Sequence, residues 1–145
     1  MPLTARARVL TALQHEEPDR VPIDLGGMKA STIAASTCVK LKQRLGIRTP
    51  TRVTDPRFMI AEVDGELCRR FHVDVLPVEP ETLFFGLPRR DWKPYTWWDG
   101  TPLLMPGLFR PVPDGTGGFV LHDGGDPARP VVAHTPKQGY YFDRA

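Results

Sequence analysis

A short apolar run closed by two glycines, Asp19-Arg20-Val21-Pro22-Ile23-Asp24-Leu25-Gly26-Gly27, constrains this chain more than any other stretch. The residues from Val21 to Leu25 are too few for a helix and lie between Pro18 and the glycines, so the pattern predicts a strand. A buried parallel strand that runs into a loop and then a helix is the repeating unit of α/β barrels and doubly wound sheets. In both, the ligand meets the carboxyl ends of the strands. The expected fold class is therefore α/β, with any chemistry at the end of this run.

The flanking patterns fit that expectation. Thr4 reads as the N-cap of a helix running to about His15, with Val9, Leu10 and Leu13 as its apolar stripe and Pro18 as its stop. Beyond the glycines, Cys38, Leu41 and Leu45 keep helical spacing and Gly46 closes the pattern. Asp55-Pro56 reads as an N-cap followed by a proline in the first turn. Ile60, Val63, Leu67 and Phe71 continue it as a third helix, with Gly65 as a weak point or a break into two helices. The run from His72 to Val78 reads as a second strand, near an edge because of Pro77.

From Glu79 onward the pattern changes. Of the aromatic residues only Phe58 and Phe71 precede residue 76, and most prolines follow it, so the second half reads as turn-rich and β. Asp99-Gly100 between two apolar arms is a strong hairpin signal. Phe119-Val120-Leu121 and Val131-Val132-Ala133 read as a second hairpin with a long tip, making residues 91 to 142 an antiparallel meander.

With 41% hydrophobic and 25% charged residues and a formal net charge of +2, the 145 residues have a globular composition. No stretch approaches the roughly 20 apolar residues of a membrane span, and the basic residues alternate with acidic ones, which argues against membrane and nucleic-acid partners. Cys38 and Cys68 stand thirty positions apart with no other thiol and no signal peptide, which points to reduced thiols in a cytoplasmic protein.

The opening from Arg8 to Asp24 resembles the amino-terminal signature of the uroporphyrinogen decarboxylase superfamily, which includes corrinoid-dependent methyltransferases. Phe71-His72-Val73-Asp74-Val75 is similar to the family's entry into its second strand. Asp99-Gly100-Thr101-Pro102 through Gly139-Tyr140-Tyr141-Phe142-Asp143 is similar to an insertion in its bacterial branch. The resemblance implies the incomplete amino-terminal part of a TIM-type (β/α)8 barrel, with first βα units over 1–90, a β-rich hairpin insertion over 91–145, and truncation before the barrel closes. It implies a decarboxylase (a lyase) or methyltransferase-like parent whose fragment is inactive alone, with a tetrapyrrole or methyl donor as the parent's small-molecule substrate. Zinc and a corrinoid partner would belong to that parent, with no cofactor or metal in this chain. A second reading is a self-contained small binding or interaction module using the aromatic β half, which also offers a seam for a homodimer.

Within the resemblance, the family's arginine pair after the first strand is missing, and Lys29 is the cation of that loop. Glu79 and Glu81 are the nearest carboxylates to the place of the family's aspartate beyond the second strand, and Glu81 is the chosen candidate. Asp24, with Glu81, is the catalytic candidate, or else a carboxylate satisfied by neighbouring backbone N–H groups. Gly26, Gly27, Lys29 and Ser31 are substrate-binding candidates, where the loop either cradles an anion or is only a tight turn. His72 and Asp74 share a face and would either share a proton or a metal, or serve stability at a strand entry. Trp92, Tyr95, Trp97, Trp98, Tyr140 and Tyr141 line a pocket for a flat ring, or form the core or seam of the β half.

Overall fold

A computed structural model describes residues 2–145. They form two compact units, neither continuous in sequence. The first takes the chain up to Ile33 together with Val63–Glu79, and the second takes Ala34–Glu62 together with Pro80–Ala145.

In the first unit, α1 (Ala5–Leu13) starts where expected, with the Thr4 hydroxyl accepting the Ala7 N–H at 3.1 Å. Its apolar stripe is not what it buries: Leu10 and Leu13 are exposed, while Arg8 is 5% exposed. The two expected strands are corrected to extended segments without a ladder. The Asp74 N–H donates to the Ile23 carbonyl at 2.8 Å, but the Ile23 N–H turns instead to the Asp74 carboxylate at 2.9 Å. Pro22 and Pro77 have no N–H to offer. Val21 is 79% exposed and Val78 fully so, the reverse of a buried parallel strand.

The third helix is likewise shorter than its apolar spacing suggests. Asp55 Oδ1 does accept the Arg57 and Phe58 N–H groups, at 2.9 and 3.3 Å. Met59, however, takes a left-handed φ of 51°, and the chain folds back as a hairpin. The helix α3 (Gly65–Arg70) begins only after Asp64 caps the Glu66 and Leu67 N–H groups.

The second unit carries the sheets. Its helix α2 (Ala35–Leu45) ends at Gly46 in the left-handed region, φ 70°, as its sequence signal predicts. Strand β1 (Val53–Asp55) pairs with β2 (Ile60–Ala61), and β3 (Lys93–Thr96) with β4 (Pro102–Met105) across the Asp99-Gly100 turn. A four-stranded meander follows in chain order: β5 (Val112–Pro113), β6 (Phe119–His122), β7 (Val131–Thr135) and β8 (Asp143–Arg144). All these strand pairs are antiparallel.

Two hairpins are therefore where the sequence put them, but the α/β class and the TIM-type barrel are overturned. The described residues form three small antiparallel sheets with three short α-helices. Buried rings hold the second unit together. Phe142 meets Phe109 edge-on at 5.9 Å between centroids, Phe109 meets Tyr95 at 5.3 Å, and Trp97 lies 6.3 Å from Phe142. Among the described residues no helix is long and apolar enough to cross a membrane.

Candidate functional site

The glycine loop of the first unit spends its donors on itself. The Gly27 N–H donates to Asp24 Oδ1 at 2.7 Å, and the Gly26 N–H to the Ser31 carbonyl at 3.0 Å. The Met28 N–H donates to Ser31 Oγ at 3.2 Å, while that hydroxyl donates to the Met28 carbonyl at 3.1 Å. Lys29 opens a single 3₁₀ turn, Lys29–Ser31. Gly26 is required here: its φ is 91°, and a Cβ would stand 2.6 Å from Val63 Cγ2. Asp24 is exposed and closes this turn. Glu81 belongs to the second unit, where its backbone carbonyl accepts the Arg89 N–H at 2.8 Å, so the two catalytic candidates fall in different units.

The more organised cluster of the first unit is ionic. Arg8 reaches Asp19 through Nε at 2.7 Å and also pairs with Asp74, while Arg20 Nη1 meets Asp74 Oδ2 at 2.7 Å. The Asp74 side chain is 2% exposed. Burial pushes its carboxyl up, but the Ile23 N–H, Arg20 and Arg8 outweigh burial and hold it below the ordinary carboxylate range. Asp19 is held lower still, by Arg8 first and then by the Leu3 N–H. His72 does not join this cluster as a proton or metal partner: its backbone carbonyl accepts from Arg20 Nη2 at 2.9 Å, and its ring is exposed. The cluster is saturated, and its chemistry is structural.

An open polar feature lies in the second unit. A cleft of about 260 Å³ runs along Tyr95, Trp97, Trp98 and Phe119 and is closed by the turn after β7, from Thr135 to Gly139. The Trp98 indole N–H donates to the Gly139 carbonyl at 2.8 Å, and the Trp98 and Tyr140 rings meet edge-on at 5.0 Å. Thr135 is 3% exposed, and its Oγ1 makes no hydrogen bond. Buried hydroxyls are nearly always satisfied, so an orphan beside a cleft calls for a partner such as an ordered water or a bound group. Burial pushes the Tyr95 phenol above its ordinary value.

The aromatic residues thus divide between the two roles open to them. Trp97 belongs to the buried ring cluster while also lining the cleft; Trp98 and Tyr140 are exposed around it. Trp92 lies apart under the Arg52 guanidinium, 5.6 Å from its ring centre. Thr135 has no local signature, because its isolation depends on a turn folding over it. Among the described residues no group of three or more His, Cys, Asp or Glu could hold a metal ion.

No family model, curated protein or solved structure matches this chain. The decarboxylase, lyase and methyltransferase classes implied by the resemblance rest on a barrel mouth. Antiparallel hairpins provide no such mouth, and the comparisons lend those classes no support.

Proposed function

We propose that this chain works as a small binding module whose site is the aromatic cleft of the second unit, taking a single planar ring with a polar edge. The observation that carries this reading is the buried, unpartnered hydroxyl of Thr135 in a cleft walled on one side by the Tyr95, Trp97, Trp98 and Phe119 rings. The rings supply apolar contact area at small entropy cost, Thr135 supplies one oriented polar contact, and the exposed Lys137 favours an acidic substituent. A tetrapyrrole is far larger than about 260 Å³ allows.

The test is a titration with 4-hydroxybenzoate, followed through the Trp98 indole N–H resonance. It should shift the signal, and Thr135→Val should weaken binding about fivefold while leaving the fold intact. Cyclohexanecarboxylate should bind more weakly. An unmoved indole signal, or equal affinity in the valine variant, would refute the assignment.

A second reading, kinship with the uroporphyrinogen decarboxylase superfamily, is favoured by one observation in the first unit. Arg8, Asp19 and Arg20 come from the opening motif and Asp74 from the second, and the four side chains meet. This concerns descent, not activity. In the crystal structure of a superfamily member carrying both motifs the same quartet should meet, and their separation would remove the support.

A further inference from the structure

The turn after β1 holds a guanidinium in a fixed place. Asp55 Oδ1 accepts the Arg57 and Phe58 N–H groups, and the Arg57 carbonyl accepts the Phe142 N–H at 2.7 Å, so the Arg57 backbone is tied on both sides. The guanidinium carbon lies 4.6 Å from the centre of the Phe58 ring and 5.7 Å from that of Phe84. All of these residues belong to the second unit. A guanidinium laid against rings keeps its edge for hydrogen bonds.

That edge is not used within the chain. Among the described residues Arg57 forms no ion pair, its Nε is buried without a hydrogen bond, and its Nη groups are neither buried nor bonded. The rings beside it are open to solvent. Phe58 is 46% exposed, and Tyr141, whose ring centre lies 6.4 Å from that of Phe58, is 50% exposed. A pre-positioned arginine beside exposed aromatic rings is the composition of the residues that carry most of the energy of protein interfaces. The unmatched charge decides the sign of the partner.

We infer that this surface docks an acidic peptide segment in extended form, with a glutamate on the Arg57 edge and an apolar side chain two positions away against Phe58 and Tyr141. Alternate side chains of an extended chain point the same way about 7 Å apart, the scale on which the cation and the rings lie side by side here. A small carboxylate would use the charge and leave the rings wet. A neutral peptide would cover the rings and leave the arginine edge without a bond once water is excluded. Neither Phe58 nor Tyr141 lines the aromatic cleft, so the inference does not rest on ring binding there.

The capped peptide Leu-Thr-Glu-Thr-Leu, its glutamine counterpart and acetate, each titrated into the whole chain, decide this through backbone amide resonances. The glutamate peptide should move the amides of Phe58 and Tyr141, and should bind about fivefold more tightly than the glutamine peptide and more tightly than acetate. Arg57→Gln should erase the preference, with both peptides still bound through the rings at the glutamine peptide's affinity. Tyr141→Ala, at an exposed position, should weaken both peptides about threefold and leave acetate unchanged. The inference is overturned if those amides stay unmoved, if the glutamine peptide or acetate binds as tightly, if the preference survives Arg57→Gln, or if Tyr141→Ala has no effect.

Discussion

Arg8 and Asp74, 66 positions apart, form an ion pair whose side chains are only 7% and 2% exposed. It joins the first helix to the extended segment after the third, and the Ile23 N–H on the same carboxylate adds the intervening loop. Removing Asp74 leaves the Arg8 guanidinium buried with one carboxylate partner fewer, which costs more than the pair itself contributes. Asp74→Asn should therefore loosen the first unit selectively. Amide exchange at Ile23 and Asp74 should speed up by at least about tenfold, with the β6 and β7 amides unaffected. Uniform acceleration across both units would contradict this.

The same carboxylates set a dependence on acid. Asp19 and Asp74 are held below the ordinary carboxylate range, so their contribution is fully present above the unfolded value of about 3.9. It is lost as pH falls through the folded values, because protonation then favours the unfolded chain. Asp114, held low mainly by the Thr116 N–H, adds an effect of the same sign in the second unit. Urea midpoints should be flat from pH 7 to about 5 and fall below about 4, and Asp74→Asn should flatten that fall for probes in the first unit.

What the sequence revealed depended on how local the cause was. Thr4, Gly46 and Asp99-Gly100 act within a few residues, and the cap, the stop and the hairpin are all present. The run from Val21 to Leu25 has strand composition, but the fate of its hydrogen bonds depends on Asp74, far along the chain, and on Pro22 within it. The spacing of Ile60, Val63, Leu67 and Phe71 is helical. Yet Ile60 and Ala61 pair with β1, because Met59 turns the chain. The concentration of aromatic residues in the second half located the rings that line the cleft, but not the cleft itself. Thr135 stayed hidden because a hydroxyl is unsatisfied only by virtue of what surrounds it.

Phe142 is the ring on which the second unit's core converges. It is 1% exposed and lies within 6.5 Å of the Phe85, Trp97 and Phe109 rings, and its N–H donates to the Arg57 carbonyl at 2.7 Å. Phe142→Ala leaves a cavity that neighbouring rings are too rigid to fill, so the loss should be about 3–5 kcal/mol. Urea unfolding followed by Trp97 and Trp98 fluorescence measures it. A loss below about 1 kcal/mol would mean that this end of the chain is not part of the core.

Gly139 tests whether the turn over the cleft is as tight as its contacts require. A Cβ there would collide with Thr135 Oγ1 and stand 2.9 Å from Pro136 Cδ. Gly139→Ala should cost about 1–3 kcal/mol by overpacking and shift Trp98 emission to the red, because moving the Gly139 carbonyl breaks its bond from the indole N–H. Part of the clash is with the hydroxyl alone. Thr135→Ala combined with Gly139→Ala should therefore be less damaging than the sum of the two single changes, a coupling read from a double-mutant cycle. Full additivity would mean that the turn relieves the clash by moving away from Thr135. The hydroxyl would then face an open turn, and the cleft would lose the polar contact on which the proposed ring binding rests.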